Sequence, residues 1–418
     1  MIAANTLGTG AGGGARSGPV RTVAEHQSIV AELLVRTAVV ELALADAAGL
    51  VLAEDLVATR ALPAFDNSAM DGYAVRAADV ADAAAAHPVT LPVAEDVPAG
   101  RVDGPALAPG TAHRIMTGAP MPAGADAVVQ VEATDGGTET VRVHEVRAVG
   151  AHVRTTGEDV AVGETVLLAG AELGAAQLGL VAALGEPTVR VHRRLRVLVL
   201  STGTELVAPG QPLDHGQIHE SNGVMLATAV RAAGAQAEQL SFVADDVDAF
   251  HAALAPRLEH VDLVLTSGGV SAGAYEVVKD ALTGQGVEFA KVAMQPGMPQ
   301  GAGRLRGVPV VTLPGNPVSS LVSFEVFLRP AIRAAMGHHS VGRRVVRARL
   351  TEALDSPVGR RQYRRGVLDE AGGTVRPIGP PASHFLRWLA ASDCLLELDE
   401  ATTHLDEGAE VDAWVLDT

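Results

Sequence analysis

The spacing of apolar and polar residues changes along the chain, and each change predicts a different kind of structure. From about Val23 to Leu52, leucine and valine recur at helical spacing, which predicts one or two helices. Residues 88–168 contain short β-rich runs separated by Gly and Pro, which predicts strands joined by tight turns. A further helix is predicted over residues 174–185. The first part of the chain is therefore expected to leave a helical layer and return to it.

From Leu195 onward, β-rich apolar runs alternate with helical patterns. The runs are LRVLVLST, AEQLSFVA, VDLVLTS and PVVTLP, and a helix is predicted after each of them. Strands that alternate with helices favour a parallel sheet covered on both faces. We therefore predict a doubly wound α/β domain with a mostly parallel sheet. The residues after 338 contain short β runs with turns, which predicts a small C-terminal β-barrel-like domain.

These changes of pattern predict an α/β multidomain protein whose elongated α+β N-terminal part contains a β-rich lobe. The predicted parts are a disordered tail (1–20), a helical and linker domain (21–48 with 150–188), the β-rich lobe (49–149), the α/β domain (189–338) and the C-terminal β domain (339–418).

Composition narrows the class of protein. Hydrophobic residues make up 48% and charged residues 19% of the chain, which is typical of a soluble folded protein. A net charge of -17 and an aromatic content of 3% argue against a nucleic-acid partner, which requires basic surfaces and stacking side chains. Neither a membrane span nor a signal peptide is expected. The single cysteine, Cys394, is predicted to be a buried apolar residue. A cytoplasmic enzyme is therefore expected.

Candidate chemistry gathers where the four predicted strands end. The first strand leads into Ser201–Glu205, the second into Asp245–Asp246, the third into Ser267–Gly269 and the fourth into Pro314–Pro317. Ligands of open α/β sheets bind beyond the carboxyl ends of the strands. Glycine backbone lets N–H groups approach an anion closely, and carboxylates suit a metal ion or the N–H groups of a heterocycle.

Each of these stretches also has a purely structural interpretation. The glycines could form a tight turn, the two aspartates could cap a helix, and Pro314–Pro317 could be a rigid turn. Neither the Walker loop nor the G-x-G-x-x-G fingerprint is present at Ser267–Gly269. Taken together at one sheet edge, the four stretches favour a site for an anion and a metal ion.

A series of motifs in the chain resembles one known family. The motifs are, in order, PAFDNSAMDGYAV, RIMTGAPMPAGADAVVQVE, GEDV, LSTGTEL, TSGGVSAG and LPGNPVSS. They resemble the MoeA family of molybdopterin molybdenumtransferases, which are related to the E domain of gephyrin and of its plant counterpart. The resemblance extends over essentially the whole chain after residue 20.

The resemblance implies an enzyme of molybdenum cofactor biosynthesis. It implies that adenylylated molybdopterin and molybdate are the substrates, that AMP is released in a step that depends on Mg²⁺, and that molybdenum remains on the dithiolene sulfurs. It also implies a homodimer with its active site between the α/β domain and the partner's N-terminal region. A molybdopterin adenylyltransferase is a further possible partner.

The resemblance also implies roles for individual residues. The implied catalytic residues are Asp71, Glu205, Asp246 and Lys291, of which Glu205 and Asp246 would also bind Mg²⁺. Asp71, Thr117 and Asp159 would line the dimer cleft, and Arg365 and Ser383 would lie beside the molybdate pocket. The implied substrate-binding residues are Thr117, Asp159, Thr202, Asp245, Ser267, Gly268, Gly269, Ser271, Glu276, Pro314, Gly315, Asn316, Pro317, Arg365 and Ser383.

Two positions depart from the family's pattern. Where the family has Lys-Pro-Gly-Lys-Pro, this chain has Gln295-Pro296-Gly297-Met298-Pro299, so both lysines of an oxyanion-binding turn are missing. Glu276 stands where aspartate is common. The first departure predicts weaker molybdate binding unless an arginine nearby supplies the charge.

Two alternatives to the insertase remain open on sequence. The α/β domain also resembles molybdopterin adenylyltransferases, although these lack the flanking parts. A non-catalytic scaffold that keeps the pterin cleft is the other alternative, and the missing lysines favour it slightly.

Overall fold

The computed structural model describes residues 20–101, 103–242, 246–269 and 277–416. The chain divides into two compact units, Glu41–Val191 and a second unit that combines the residues up to Val40 with those from His192 onward. The predicted tail lies outside the described residues except for Val20, which belongs to a strand. The five-part division of the chain stays a prediction.

The second unit begins with β1 (Val20–Arg21) and α1 (Val23–Leu33). A reciprocal capping box starts α1, because the Thr22 hydroxyl accepts from the Glu25 backbone N–H while the Glu25 carboxylate accepts from the Thr22 backbone N–H. The helix predicted up to Leu52 was wrong beyond α1. Residues Val39–Ala43 form a strand whose exposure alternates with a period of two, as expected for β-branched residues in a sheet.

The unit Glu41–Val191 is built mainly from short strands, as predicted. Its central sheet has the order β8-β5-β7-β6-β9, and three two-stranded pairs, β10-β4, β11-β3 and β12-β2, accompany it. Tyr73 packs into the core on one face of the central sheet and Ala74 into the core on the other. The elements are β2 (Val39–Ala43), β3 (Leu56–Val57), β4 (Asn67–Ser68), β5 (Gly72–Val75), β6 (Val89–Val97), β7 (Ala112–Ile115), β8 (Ala127–Gln130), β9 (Thr140–Val143), β10 (Val153–Arg154), β11 (Thr165–Leu167), α2 (Ala175–Ala183) and β12 (Thr188–His192).

The remaining residues of the second unit first form an α/β domain. Its elements are β13 (Arg196–Thr202), β14 (Leu206–Val207), β15 (Ile218–His219), α3 (Asn222–Ala232), β16 (Gln236–Phe242), α4 (Val247–Leu254), β17 (Leu263–Ser267), α5 (Val277–Leu282), β18 (Val287–Val292), β19 (Met294–Gln295), β20 (Pro299–Leu305), β21 (Val308–Leu313), α6 (Pro317–Ser323) and α7 (Arg329–Ala335). A π-helical segment, Phe324–Leu328, joins α6 to α7.

The sheet of this domain is doubly wound, as predicted. Its order is β1-β18-β20-β21-β17-β13-β16, and β21, β17, β13 and β16 are mutually parallel, whereas β20 is antiparallel to both of its neighbours. Val197 and Val199 pack into one core and Leu198 and Leu200 into another, so both faces are covered. The strand order reverses between β13 and β17, which is where ligands bind in such sheets.

The C-terminal part closes into a five-stranded barrel. Strands follow the order β24-β25-β22-β28-β26, and β24 also pairs with β26, so the sheet has no free edge there. Cys394 is fully buried, and burial raises the pKa of its thiol to about 12, which makes it unreactive at neutral pH. The elements are β22 (Val345–Leu350), β23 (Leu354–Asp355), β24 (Arg361–Asp369), β25 (Thr374–Pro377), α8 (Leu386–Ala390), β26 (Cys394–Leu398), β27 (His404–Leu405) and β28 (Glu410–Val415).

Within the described ranges, none of the helices has the length and apolar character that crossing a membrane would require.

Candidate functional site

The loop after β17 is built around two glycines that no other residue could replace without a shift. Gly268 has a φ of 94° and Gly269 a φ of 67°, in the left-handed region. A Cβ atom on Gly268 would lie 2.8 Å from the Thr202 carbonyl oxygen, and one on Gly269 would lie 2.8 Å from Val278 Cβ. The backbone of this loop therefore packs directly against the end of β13 and the start of α5.

An asparagine that the sequence analysis missed joins two of the predicted loops. Asn222, the first residue of α3, donates from Nδ2 to Ser267 Oγ (2.8 Å) and to the Gly315 carbonyl oxygen (2.6 Å). The end of β17 is thus tied to the loop after β21. The only signal in the sequence was the position of Asn222 at a helix start, which is common for asparagine and carries little information.

A buried carboxylate lies beneath the same strand ends. Glu220 is 6% exposed, and its Oε1 accepts from Ser201 Oγ (2.9 Å) and from the Gly223 backbone N–H (2.5 Å). These bonds fix the start of α3 against the end of β13. Sequence analysis missed Glu220 as well, because its burial depends on how β14, β15 and α3 fold together.

A cavity of about 360 Å³ opens between three loops of the second unit. One wall is the turn that lacks the family's lysines, the second is the loop after β21 with the start of α6, and the third belongs to the barrel. Asn316 Nδ2 donates to Ser383 Oγ (2.9 Å) and the Val318 N–H to the Ser383 carbonyl oxygen (3.2 Å), which ties the second wall to the third. The lining residues are Gln295, Pro296, Gly297, Met298, Pro299, Pro314, Gly315, Asn316, Ser319, Pro381, Ala382 and Ser383.

Arg365 stands behind the third wall and is not part of the lining. It is 2% exposed, and its guanidinium donates to the carbonyl oxygens of Pro380, Ala382 (3.4 Å) and Phe385 (3.3 Å). Burial and the neighbouring Arg364 lower the pKa of its guanidinium. Arg365 therefore holds the loop that forms the wall, and its N–H groups are largely used in doing so.

In the unit Glu41–Val191, two aspartates hold two similar turns. Asp71 Oδ1 accepts from the Thr117 backbone N–H (2.6 Å) and hydroxyl (2.9 Å), and Asp66 Oδ1 accepts from the Thr156 backbone N–H (2.7 Å) and hydroxyl (2.8 Å). The bonds from Thr117 lower the pKa of Asp71, so it is ionised at neutral pH. Asp159 is exposed on the same unit.

Comparison with known proteins identifies the family. Three family models match along the chain: the MoeA N-terminal region (residues 21–185), a probable molybdopterin binding domain (198–334) and the MoeA C-terminal region (347–416). A protein of Mycobacterium tuberculosis strain H37Rv named molybdopterin molybdenumtransferase 2 is 55% identical over 404 residues, which cover 95% of this chain and 100% of that protein. The chain belongs to the MoeA family.

Other MoeA relatives agree with this assignment. Molybdopterin molybdenumtransferase 1 of the same strain is 38% identical over 418 residues, covering 94% of this chain and 98% of that protein. The crystal structure of a molybdopterin biosynthesis MoeA protein from Pyrococcus horikoshii OT3 superposes with a TM-score of 0.77 at 29% identity, covering 95% of this chain and 100% of that one.

Apart from Arg365 and the two predicted magnesium ligands, the predicted MoeA-type site residues fall into four groups. Thr202, Ser267–Gly269 and Pro314–Pro317 come together at the strand ends, and Ser383 joins them at the cavity. Lys291 is exposed on β18 and lies outside the cavity lining. Asp245, Ser271 and Glu276 lie outside the described residues. Asp71, Thr117 and Asp159 belong to the other unit.

The two predicted magnesium ligands are exposed carboxylates. Asp246 is the N-cap of α4, where its Oδ1 accepts from the Ala249 N–H (2.7 Å), and Glu205 follows β13. Mg²⁺ keeps several water ligands and is commonly held by one or two carboxylates, so these side chains fit the ion. The described part of the chain contains no group of three or more His, Cys, Asp or Glu side chains arranged for a metal.

Proposed function

We propose that this chain inserts molybdenum from molybdate into adenylylated molybdopterin and releases AMP, as a step of molybdenum cofactor biosynthesis. The observation that carries the proposal is that Asn222 joins the Ser267–Gly269 loop to the loop after β21, which in turn borders one cavity together with the 295–299 turn and the barrel loop. The Ser267–Gly269 loop follows β17, next to the point where the strand order reverses and where ligands bind in such sheets. The relatives named molybdopterin molybdenumtransferase support it.

In this proposal the glycine loop binds the pyrophosphate of the adenylylated pterin. The Gly268 N–H already donates to the Leu313 carbonyl oxygen (3.1 Å), so the Gly269 N–H is the donor that the bare backbone would bring close to a phosphate oxygen, and Asn222 fixes the loop before the substrate arrives. Such preorganised donors are the main means by which a protein stabilises charge that develops during phosphoryl chemistry.

Glu205 and Asp246 would hold Mg²⁺ in this mechanism. The ion, when bound, supplies positive charge to the phosphoryl oxygens. Asp246 is ordered by its bond to α4, whereas no described residue donates a hydrogen bond to the Glu205 carboxylate. Lys291 and the cleft residues Asp71, Thr117 and Asp159 remain candidates for contacts with the substrate, the latter three from the second subunit of a homodimer.

Molybdate would occupy the cavity between the three loops. Ser319, Asn316 and Ser383 supply hydroxyl and amide groups there, while Gln295 and Met298 supply no charge. The cavity thus offers neutral donors to a dianion, and its lining, as far as the structure describes the chain, contains neither lysine nor arginine.

The test is incubation of the purified chain with adenylylated molybdopterin. We expect AMP to appear only when molybdate and Mg²⁺ are both present. Formation of the adduct from molybdopterin and ATP would instead identify an adenylyltransferase. Binding of the adduct without release of AMP under any metal condition would identify a scaffold and would contradict the proposal.

A further inference from the structure

A second cavity, of about 260 Å³, lies at the opposite edge of the same sheet. It is bordered by Leu195 before β13, by Asp262 before β17 and by Val308 at the start of β21. Since these strands are parallel, their amino ends lie at the edge away from Ser267 and Pro314. The cavity is therefore separate from the candidate functional site.

The lining of this cavity carries more positive than negative charge. Three arginines, Arg36, Arg193 and Arg304, line the cavity together with one carboxylate, Asp262. Asp262 is already neutralised by Arg193, which bonds both of its oxygens (2.6 and 2.8 Å). Among the described residues, Arg304 donates only to the carbonyl oxygens of Leu33 (2.7 Å) and Gly307 (3.0 Å), so no described carboxylate pairs with its charge.

Arg36 is the free cation of this cavity. Its side chain is exposed, and no hydrogen bond or ion pair to another described residue engages it. Two guanidinium groups therefore line one small cavity without a carboxylate partner in the described part of the chain, although the net charge of the whole chain is -17. A guanidinium presents its donors in a planar fork that matches the oxygens of a phosphate or carboxylate.

A further exposed arginine stands beside the cavity. Arg306 and the lining residue Gly307 form the two-residue turn between β20 and β21, and Arg306 adopts a left-handed conformation (φ 49°) where asparagine or glycine is the ordinary choice. Thr37 is 5% exposed, and its hydroxyl is buried away from the cavity without a hydrogen-bond partner among the described residues.

We propose that this cavity binds a small organic anion, a compact phosphate monoester, through Arg36 and Arg304. Leu34, Leu195 and Val308 form an apolar wall that would cover the organic part of the molecule. The volume lies just below the range of about 300–1,000 Å³ that is typical of pockets for drug-sized ligands, which favours a molecule smaller than a dinucleotide.

The test is titration calorimetry of the full chain with glycerol phosphate and, separately, with inorganic phosphate, both at constant ionic strength. Arg36→Glu should weaken binding of glycerol phosphate at least tenfold. The matched control is Arg349→Glu, a charge reversal of an exposed arginine on the barrel, which should titrate as the wild type does. Glycerol phosphate should bind more tightly than inorganic phosphate because of the apolar wall.

Equal titrations of the wild type and Arg36→Glu would overturn the proposal, as would equal weakening by Arg349→Glu. Equal affinity for the two probes would overturn the choice of an organic ligand. Phosphate that binds at the candidate active site would still give a titration signal in Arg36→Glu. That residual signal distinguishes it from binding at this cavity. The outcome does not depend on molybdenum insertion, since binding is measured without turnover.

Discussion

At the scale of single residues, the two proposed magnesium ligands differ in whether their carboxylates already accept hydrogen bonds within the fold. Asp246 accepts a hydrogen bond from a backbone N–H at the start of α4. Its substitution would therefore remove a helix cap worth about 1 kcal/mol as well as the proposed magnesium ligand. The exposed Glu205 side chain makes no hydrogen bond to a described residue. Glu205 is therefore the position at which function can be tested without a stability effect.

We expect Glu205→Gln to slow AMP release about 10²-fold, the scale of losing one electrostatic contact at a reacting centre. The melting temperature should stay the same because the side chain is exposed and makes no internal bond. Asp214→Asn, an exposed carboxylate in the loop between β14 and β15, is the control and should retain activity. A Glu205→Gln variant that melts early would show a structural role instead.

His26 makes stability depend on pH. It is fully buried on α1 with its ring centre 4.7 Å from the Phe327 ring centre in an edge-to-face arrangement, and burial followed by the charge of Arg21 lowers its pKa to about 4. The unfolded chain takes up this proton near pH 6.5, whereas the folded chain does so only near pH 4. Because the unfolded state binds more protons between these values, stability falls as pH falls from about 6.5 to 4.

We expect the loss of stability that His26 causes to reach about 3 kcal/mol near pH 4 and to vanish above pH 7. His26→Leu should remove it, so the free energy of unfolding of the variant should change less between pH 7 and 5 than that of the wild type. Urea titrations at several pH values measure the difference. Parallel curves for the two proteins would show that His26 protonates equally in both states.

At the scale of elements, the candidate site depends on ties between loops that are far apart in sequence. Asn222 joins the ends of β17 and β21 from the start of α3. Its removal would leave the Ser267 hydroxyl with weaker partners, Pro314 O at 3.5 Å and Ser320 Oγ at 3.3 Å.

We expect Asn222→Ala to lower kcat for AMP release by at least tenfold while reducing the free energy of unfolding by about 1–3 kcal/mol. The control is Thr228→Ala on the same helix, which loses only an exposed bond to the Val224 carbonyl oxygen. If Asn222→Ala lost stability but kept its kcat, the tie would be structural alone.

The neutral cavity predicts how the missing lysines affect molybdate use. Gln295 and Met298 line it, while Arg365 is engaged with carbonyl oxygens and Lys291 lies outside the lining. Each charge-assisted hydrogen bond that is lost costs about 1.5–3 kcal/mol, or roughly ten- to a hundredfold in affinity. Gln295→Lys with Met298→Lys should therefore lower the half-saturating molybdate concentration at least tenfold.

The affinity of this double variant for adenylylated molybdopterin should remain that of the wild type. Titration of AMP release against molybdate, at fixed adduct, separates the two affinities. An unchanged or raised half-saturating concentration would mean that the wild-type cavity already receives a cation from outside its lining.

The sequence predicted strands and helices better than it predicted the hydrogen bonds that join them. Alternating strand and helix patterns were sufficient for β13, β16, β17, β21 and the helices between them, because each pattern is local. Val39–Ala43 was wrongly predicted as helix, since apolar residues at helical spacing also occur in a short strand. Asn222 and Glu220 were missed because their roles arise only when α3 meets two other strand ends.

At the scale of the whole molecule, the homodimer proposed above would take Asp71, Thr117 and Asp159 of each active site from a second copy of the chain. These three residues belong to the unit Glu41–Val191, and all three are exposed there. Exposed side chains are available to a substrate that another copy holds, so the proposed homodimer would have composite active sites.

We expect sedimentation at micromolar concentration to give twice the mass of one chain. Two inactive variants, Asp71→Asn and Glu205→Gln, should then complement each other after being mixed and allowed to exchange subunits. Random pairing makes half of the dimers mixed, and one of the two sites in each mixed dimer is intact, so about a quarter of wild-type activity should return. A dimer without recovery would place both residues in the same subunit's site.

Strand β24 has a consequence for how this protein can vary in length. Its first residues pair with β19, directly before the turn that forms one wall of the cavity, and four residues later Arg365 holds the opposite wall. Side chains alternate along a strand, so inserting or deleting one residue between Arg361 and Arg365 would turn Arg365 away from its carbonyl partners. Natural insertions and deletions are therefore expected to be excluded from this stretch and tolerated in the exposed loop at residues 208–216.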